Sequence, residues 1–245
     1  MSLLTENEVK KIIKENKDKI IIDDKTIITP SAKELIDGKK IKLIREKELN
    51  KVFKDEKENK KNTPKFKYIY GGYYDEKPEH LTQLFGNNLV PKNHKRIIFR
   101  GKIDSLESKI LEVQVYCKNN KKEKLLKDLE DVLIFVRKIL RAEVLDEELK
   151  DFNLIGLNEE EIHEMSHYPK KYFGIGHIFP EYTMGDYVIY LNSIRSLVRE
   201  TEISAYNAFS NSENEISRLD IIKYLNRLSS CLYVMMFKYL SGKYN

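Results

Sequence analysis

The run KKEKLLKDLEDVLIFVRKILRAEVL, from Lys121 to Leu145, decides the fold class. Its apolar residues Leu125, Leu129, Val132, Leu133, Val136, Leu140 and Val144 fall at steps of three and four, the spacing that gathers side chains on one helix face. The stretch before it keeps the same rhythm: Lys102 to Cys117 carries Ile103, Leu106, Ile110, Val113 and Cys117. Downstream, a polar connection holding Gly156 leads to a short helix over Glu159 to Ser166. A loop marked by Gly174, Gly176, Pro180 and Gly185 then introduces helices over 186–209 and 215–240. Four or five helices in sequence, with no internal repeat, predict a mainly α chain built as a helical bundle.

Upstream of the bundle the pattern changes twice. Residues 68–100 hold Gly71, Gly72, Pro78, Gly86 and Pro91 and read as structured but irregular. Residues 46–67 are a charged linker, since Glu46 to Lys61 is almost wholly Lys, Glu, Asp and Asn, with Val52 and Phe53 the only apolar pair. Residues 1–45 read as a small mixed α/β segment, which leaves 68–245 as the bundle domain. In that segment Glu8 to Lys14 predicts a helix, and the Lys19 and Lys40–Ile44 runs predict strands. Between those runs a second helix is expected, with Ser31 as N-cap, Glu34 as its partner three residues on, and Gly38 as its end.

Composition narrows the function. In 245 residues, 41% hydrophobic and 34% charged residues supply a real core, and a formal charge of +5 is small. Only nine of the 44 basic residues are Arg, the residue that forks onto phosphate and guanine, and no basic stripe or reader motif is present. Nucleic-acid binding is therefore not expected. Two cysteines, Cys117 and Cys231, make neither a disulfide framework nor a four-thiolate zinc site. The longest apolar run, Cys231 to Phe237, is seven residues against the roughly 20 of a membrane span. Glu6 and Glu8 interrupt any leader-like stretch, so a soluble cytoplasmic protein is expected.

Three constellations are candidates for chemistry. In Arg195-Ser-Leu-Val-Arg199-Glu200-Thr201-Glu202, the side chains of Arg195, Arg199 and Glu202 fall at about 0°, 40° and −20° around a helix, on one polar edge. Two guanidiniums a turn apart suit a polyphosphate, and the carboxylate suits aligning them or accepting from a sugar hydroxyl. The same pattern also reads as an intrahelical salt-bridge ladder. In Tyr224-Leu-Asn226-Arg-Leu-Ser-Ser230-Cys-Leu-Tyr233, one edge carries Asn226, Ser230 and Tyr233. A mid-helix Asn there reads either as a ligand contact or as an inter-helix hydrogen bond. In the third, Lys92 precedes a helix whose first turn carries Asp104, an arrangement that equally suits a charge favouring the positive helix end.

Pro91-Lys92, Arg100-Gly101-Lys102-Ile103-Asp104-Ser105-Leu106, Arg195-x-x-x-Arg199-x-x-Glu202 and Leu225-Asn226-Arg227-Leu228-Ser229 follow one another here. That order resembles the ATP:cob(I)alamin adenosyltransferases. The chain is most similar to their ethanolamine-utilisation branch, through Ile28-Thr29-Pro30-Ser31-Ala32, Pro78-Glu79-His80-Leu81-Thr82, Gly156-Leu157, His163-x-x-x-His167 and Val198-Arg199-Glu200-Thr201-Glu202. The similarity covers nearly everything outside the charged linker.

The resemblance implies a five-helix bundle, a homo-oligomer (a trimer first) with ATP sites between subunits, and transfer of the 5′-deoxyadenosyl group of ATP to reduced cobalamin with release of tripolyphosphate. It implies that Arg199, Glu202 and Asn226 hold ATP, that Lys92 and the turn Thr82 to Gly86 meet its phosphates with Mg²⁺, and that Asp104 pairs with Arg195 across a subunit boundary. Phe179, Phe173, His177 and Tyr233 are the expected corrinoid contacts, Phe179 first, on an apolar loop that excludes the lower axial base. A reductase supplying the electron, an ethanolamine ammonia-lyase taking the product, and a bacterial microcompartment are the expected partners and setting.

Departures from the family pattern stand beside these expectations. Ser230 occupies an Asp position of the wider family, Glu200 occupies that of a second Arg, and Leu84-Phe85-Gly86-Asn87 is a faint version of its Gly-rich turn. Some ethanolamine-branch members bind a divalent metal with a His and three cysteines, whereas Tyr68-Ile-Tyr-Gly-Gly-Tyr-Tyr74 here has no cysteine. The weak metal candidates are His163 and His167, one turn apart, with His177 arriving from the loop. Two other readings stay open: a non-catalytic corrinoid- or nucleotide-binding chaperone or sensor on the same bundle, favoured by Ser230 and Glu200, and a scaffold-associated protein docking through its N-terminal unit.

Overall fold

The computed structural model describes residues 3–14, 19–23, 25–39, 41–45, 64–213 and 215–244. The charged linker expected over 46–67 lies outside the described residues from 46 to 63. Two compact units emerge, Met1–Pro64 and Lys65–Asn245.

The first unit contains β1 (Leu3–Leu4), α1 (Glu6–Lys14), β2 (Lys19–Ile22), β3 (Ile27–Ile28), α2 (Pro30–Gly38) and β4 (Lys42–Arg45). Strands β1 and β3 pair in parallel, as do β2 and β4, and Val9, Ile20, Ile22, Ala32 and Ile36 are buried together. The N-cap of α2 is Thr29 rather than Ser31, and Glu34 is not its box partner. Thr29 is extended (φ −70°, ψ 150°), its Oγ1 accepts from the Ala32 amide, and Pro30 takes the first helical position, where a missing N–H costs nothing.

The second unit opens with a sheet where irregular structure was expected. Its strands β5 (Phe66–Tyr68), β6 (Tyr73–Tyr74), β7 (Leu81–Phe85) and β8 (Asn88–Pro91) lie in the order β6-β5-β8-β7. They are two to five residues long, too short for an alternating pattern to show. Since Phe66 and Lys67 already pair with Tyr74 and Tyr73, this unit starts slightly before residue 68.

The bundle then runs through α3 (Lys95–Asn119), α4 (Glu123–Leu145), α5 (Glu159–His167), α6 (Pro169–Phe173), a 3-10 turn (Tyr182–Met184), α7 (Asp186–Phe209) and α8 (Leu219–Leu240). The fold is mainly α, as expected. Helix α3 starts seven residues earlier than its apolar rhythm suggested, since Lys95 follows the N-cap His94, and α8 starts at Leu219 rather than 215. Helix α3 buries Phe99, Ile103, Leu106, Ile110, Val113 and Cys117, a strict four-three alternation facing α7 and α4. Helix α8 is the central member, buried at Ile221, Leu225, Leu228, Cys231, Leu232, Val234, Met235, Met236 and Phe237. Both cysteines are free and buried, and burial pushes the Cys117 thiol up to about 11 and the Cys231 thiol further. No described helix is long and apolar enough to cross a membrane.

Two charged clamps fix the helix ends. Arg218 donates to the carbonyl of Ala142 (3.2 Å) in the last turn of α4 and to that of Glu147 (2.7 Å) beyond its end, while pairing with Asp220 at 2.8 Å. The clamp adds a charged donor at the end of the helix, where the Ala142 carbonyl already accepts from the Glu147 amide at 3.0 Å. At the start of α3, Arg96 and Arg100 close on Glu143 of α4, whose side chain is 0% exposed, at 2.5 and 2.6 Å.

The N-cap of α3 gives the fold a pH dependence. His94 Nδ1 accepts from the Arg96 amide at 3.3 Å, which requires that nitrogen to be unprotonated. Burial first, then the charges of Arg96 and Arg100, holds the His94 ring below its ordinary value. A depressed folded value means the unfolded chain takes up the proton first, so this contribution is present above about pH 6.5 and is lost as pH falls. The melting temperature should therefore drop on going from about pH 7.5 to about pH 5.5, and His94→Asn, a cap that does not titrate, should shallow the drop. Equal drops in the two proteins would contradict this account.

Candidate functional site

Helices α7 and α8 meet along a polar edge that their buried faces leave free. Ile194, Val198, Thr201 and Ala205 turn into the core, so Arg195, Arg199 and Glu202 line up on the edge flanking that buried face of α7. Opposite them, Leu225, Leu228 and Leu232 are buried, leaving Asn226, Ser230 and Tyr233 on the matching side of α8. Two cross-helix contacts fix the register. Asn226 Nδ2 donates to Glu202 Oε1 at 3.1 Å, and the Arg195 guanidinium lies 5.2 Å from the centroid of the Tyr233 ring. Seven residues separate the two contacts on each helix, so the edge is roughly 10 Å long.

The two ends differ in character. At the Asn226 end, Arg199, Glu202, Ile203, Tyr206 and Ile222 line a cavity of about 320 Å³, and Arg199 is exposed. A second cavity of about 490 Å³ reaches Asn226 from the side of α5, walled by His163, His167, Ile222, Lys223 and Arg227. Glu159 of α5 receives Lys223 at 2.7 Å and Arg227 at 3.1 Å. The Lys223 hydrogen bond, then that of Arg227, holds the Glu159 carboxyl below its ordinary value against an opposing desolvation. Helix α5 is thereby pinned to α8.

At the Tyr233 end, the loop after α6 folds over the phenol. The Ile178 amide donates to Tyr233 Oη at 3.1 Å, Tyr233 Oη donates to the Ile178 carbonyl at 3.3 Å, and the His177 ring stacks 6.3 Å away at 10°. Beyond it Phe179 is 87% exposed. Arg195 between the two ends is unusual. Its Nε is buried and has no hydrogen-bond partner among the described residues, and burial, then the nearby Arg199 charge, pulls its pKa below the ordinary value.

The other expected residues are distributed as follows. Lys92, at the end of the β7–β8 hairpin, lies 3.7 Å from Glu79 and bonds through its amide to His80, not to the α7–α8 edge of its own chain. Thr82 pairs with Val90 within the hairpin, and Gly86 occupies its turn at φ +51°. Asp104 is exposed on α3 and makes no ion pair with Arg195 inside one chain, whereas the neighbouring Lys102 pairs with Glu200 of α7 at 2.9 Å. Phe173 is not a surface contact. It is buried, stacked 5.6 Å from Phe237, because the short α6 turns it inward. The rings of His163 and His167 lie 4.3 Å apart, but His177 goes to Tyr233 instead of joining them. Among the described residues no three His, Cys, Asp or Glu side chains gather as a metal site.

Sequence reading missed the Arg96–Glu143–Arg100 cluster, although the signal was there. Glu143 follows Val132, Val136 and Ile139 at helical spacing, so an acid falls on an apolar stripe.

The class of protein is settled by comparison. Residues 73–239 match the family model described as cobalamin adenosyltransferase. The chain is similar to the corrinoid adenosyltransferase EutT of Salmonella typhimurium, at 38% identity over 160 residues, covering 65% of this chain and 58% of that protein. It is also similar to the corrinoid adenosyltransferase EutT of Escherichia coli K12, at 31% over 221 residues, covering 85% and 81%. No solved structure matches it. The chain belongs to the cobalamin adenosyltransferase family, in its EutT-type branch, and is thus an enzyme that adenosylates a corrinoid.

The double hydrogen bond on Tyr233 makes a prediction. Tyr233→Phe removes the phenol from both bonds to Ile178, at a cost of about 1 kcal/mol. Amide exchange at Ile178 should accelerate while the bundle amides keep their protection. Unchanged exchange at Ile178 would show that the phenol does not hold the loop.

Proposed function

We propose that this chain transfers the 5′-deoxyadenosyl group of ATP to the cobalt of reduced cobalamin, giving adenosylcobalamin and tripolyphosphate, and that the product serves an ethanolamine ammonia-lyase. The observation that carries this reading is the single α7–α8 edge, with Arg199, Glu202 and Asn226 at one end and Tyr233 under the apolar loop at the other. A nucleotide and a flat ring would lie side by side along it.

Reduced cobalt is itself the nucleophile. Its electron pair forms the bond to C5′ while the C5′–O bond breaks and its pair leaves with the triphosphate, so the protein supplies no base. Its work is to hold C5′ in line and to neutralise the charge gathering on the leaving oxygens. Arg199 is exposed and suited to fork onto phosphate, while Glu202, held by Asn226, is suited to accept from a ribose hydroxyl. The Lys92 ammonium makes a long contact to Glu79 among the described residues and would turn to the phosphates, with Thr82 and Gly86 on the same hairpin. A divalent ion would be held mainly by phosphate oxygens, which suits Mg²⁺, an ion that keeps waters and takes few protein ligands. Phe179, exposed beside the loop anchored by Tyr233, would wedge against the lower face of the corrinoid and keep its axial base away.

A homo-oligomer with shared sites, a trimer first, fits the exposed Asp104 and the Arg195 Nε that has no partner among the described residues. A second copy would bring the carboxylate that the chain does not bring to Arg195 itself. An external reductase would deliver the electron.

Incubation of the protein with ATP, Mg²⁺ and chemically reduced cobalamin should yield the adenosylcobalamin spectrum and one tripolyphosphate per turnover. Arg199→Ala should cut turnover on the order of a hundredfold or more, since it removes a charge-assisted contact made to the leaving group. Cob(II)alamin binding should survive that change. Well-folded protein that binds cob(II)alamin and never forms the cobalt–carbon bond would replace this reading with the non-catalytic carrier.

A further inference from the structure

The buried Glu143 does more than join two helices. Its Oε1 takes Arg96 Nε at 2.5 Å and its Oε2 takes Arg100 Nε at 2.6 Å, so both oxygens are engaged and the side chain is 0% exposed. The two arginines then diverge. Arg96 Nη2 returns to the Glu143 carbonyl at 2.8 Å, staying on α4. Arg100 Nη2 instead reaches out of the bundle to the Leu84 carbonyl at 2.8 Å. Leu84 sits where the β7–β8 pairing slips register, between Gln83 and Phe85, two residues before Gly86. The turn beyond it is closed by Gln83 Nε2 to the Gly86 carbonyl and by Asn88 Nδ2 to the Phe85 carbonyl. Those two bonds brace the turn across its width, and Arg100 ties it to the bundle at Leu84.

We propose that Glu143 and Arg100 form a positioning relay that sets the β7–β8 turn at the height needed to receive the nucleotide's phosphates. This rests on the reading of Thr82 to Gly86 as a phosphate-facing turn. The carboxylate fixes the Arg100 fork, which is 17% exposed and has two of its three nitrogens committed, so Arg100 acts on ATP through the turn. Arg96 shares the carboxylate and gives its side-chain hydrogen bonds to Glu143 rather than to the hairpin, and is the internal control.

The experiment compares full-length wild type with Arg100→Lys and Arg96→Lys, measuring melting temperature and the KM values for ATP and for cob(I)alamin. Both substitutions replace a fork with a single ammonium beside Glu143 and should lower stability alike. Only Arg100→Lys should raise the ATP KM, on the order of tenfold, with the cob(I)alamin KM within about twofold. Arg96→Lys should leave both KM values within about twofold. Arg100→Gln serves if the lysine variant does not fold. Equal effects of the two substitutions on the ATP KM, or none from Arg100, overturn the relay.

A fourth protein, Gly86→Asp, tests the underlying reading. Nothing lies within 4 Å of an added Cβ there, and Asp tolerates the left-handed backbone. A carboxylate facing phosphate should raise the ATP KM. If it does and Arg100→Lys does not, the relay alone is wrong. If Gly86→Asp leaves the ATP KM unchanged, the turn does not meet the nucleotide and both ideas fall.

Discussion

Burial of α8 is the constraint from which the rest of the structure follows. From Ile221 to Phe237 this helix gives most of its circumference to apolar neighbours, packing against α7, α5, α4 and α6. A helix so enclosed has little freedom to rotate, because a turn of 100° would carry Asn226 into the buried place of Leu225 in one sense, or Leu225 out to the exposed place of Asn226 in the other. The polar side chains along its α7-facing edge, Asn226, Ser230 and Tyr233, are therefore held in fixed directions by hydrophobic packing. Close packing supplies the rigidity on which the chemistry of the edge rests.

Electrostatics divides the bundle into satisfied and unsatisfied parts. Glu143 and its two arginines form a closed set in which each carboxylate oxygen and both Nε groups have partners. The Arg218 clamp is closed in the same way. Arg195 is the exception among the described residues, since a guanidinium with a buried Nε lacking a partner there, beside another cation, is an unfavourable arrangement. Folded proteins seldom leave such a group without compensation. Its stacking on Tyr233 offsets part of the cost.

Much of the architecture was legible in the sequence because the bundle helices are long and amphipathic. The register of 186–209 can be read directly, and so can the polar edge of Arg195, Arg199 and Glu202, since period 3.6 leaves little choice over six turns. The sheet was not legible: strands of two residues, such as Tyr73–Tyr74, carry no period. Phe173 and His177 show a second limit. Both sit in a Gly-rich stretch whose direction is set by tertiary contacts with Phe237 and Tyr233, and no local pattern distinguishes the ring that turns in from the one that turns out. At Thr29 the competing signal was chemical. Ser31 and Glu34 have capping-box spacing, but the fixed φ of Pro30 already starts the helix one residue before Ser31.

The seclusion of Cys117 and Cys231 has a practical side. Thiols so far from water, with ionisation pushed upward, are poor targets for maleimides and for alkylating reagents in general. The native chain is thus close to a blank background for site-directed labelling. A single cysteine engineered into the loop between Gly174 and Pro180 would carry a fluorophore or spin probe almost alone, and would report how that loop responds when each substrate arrives.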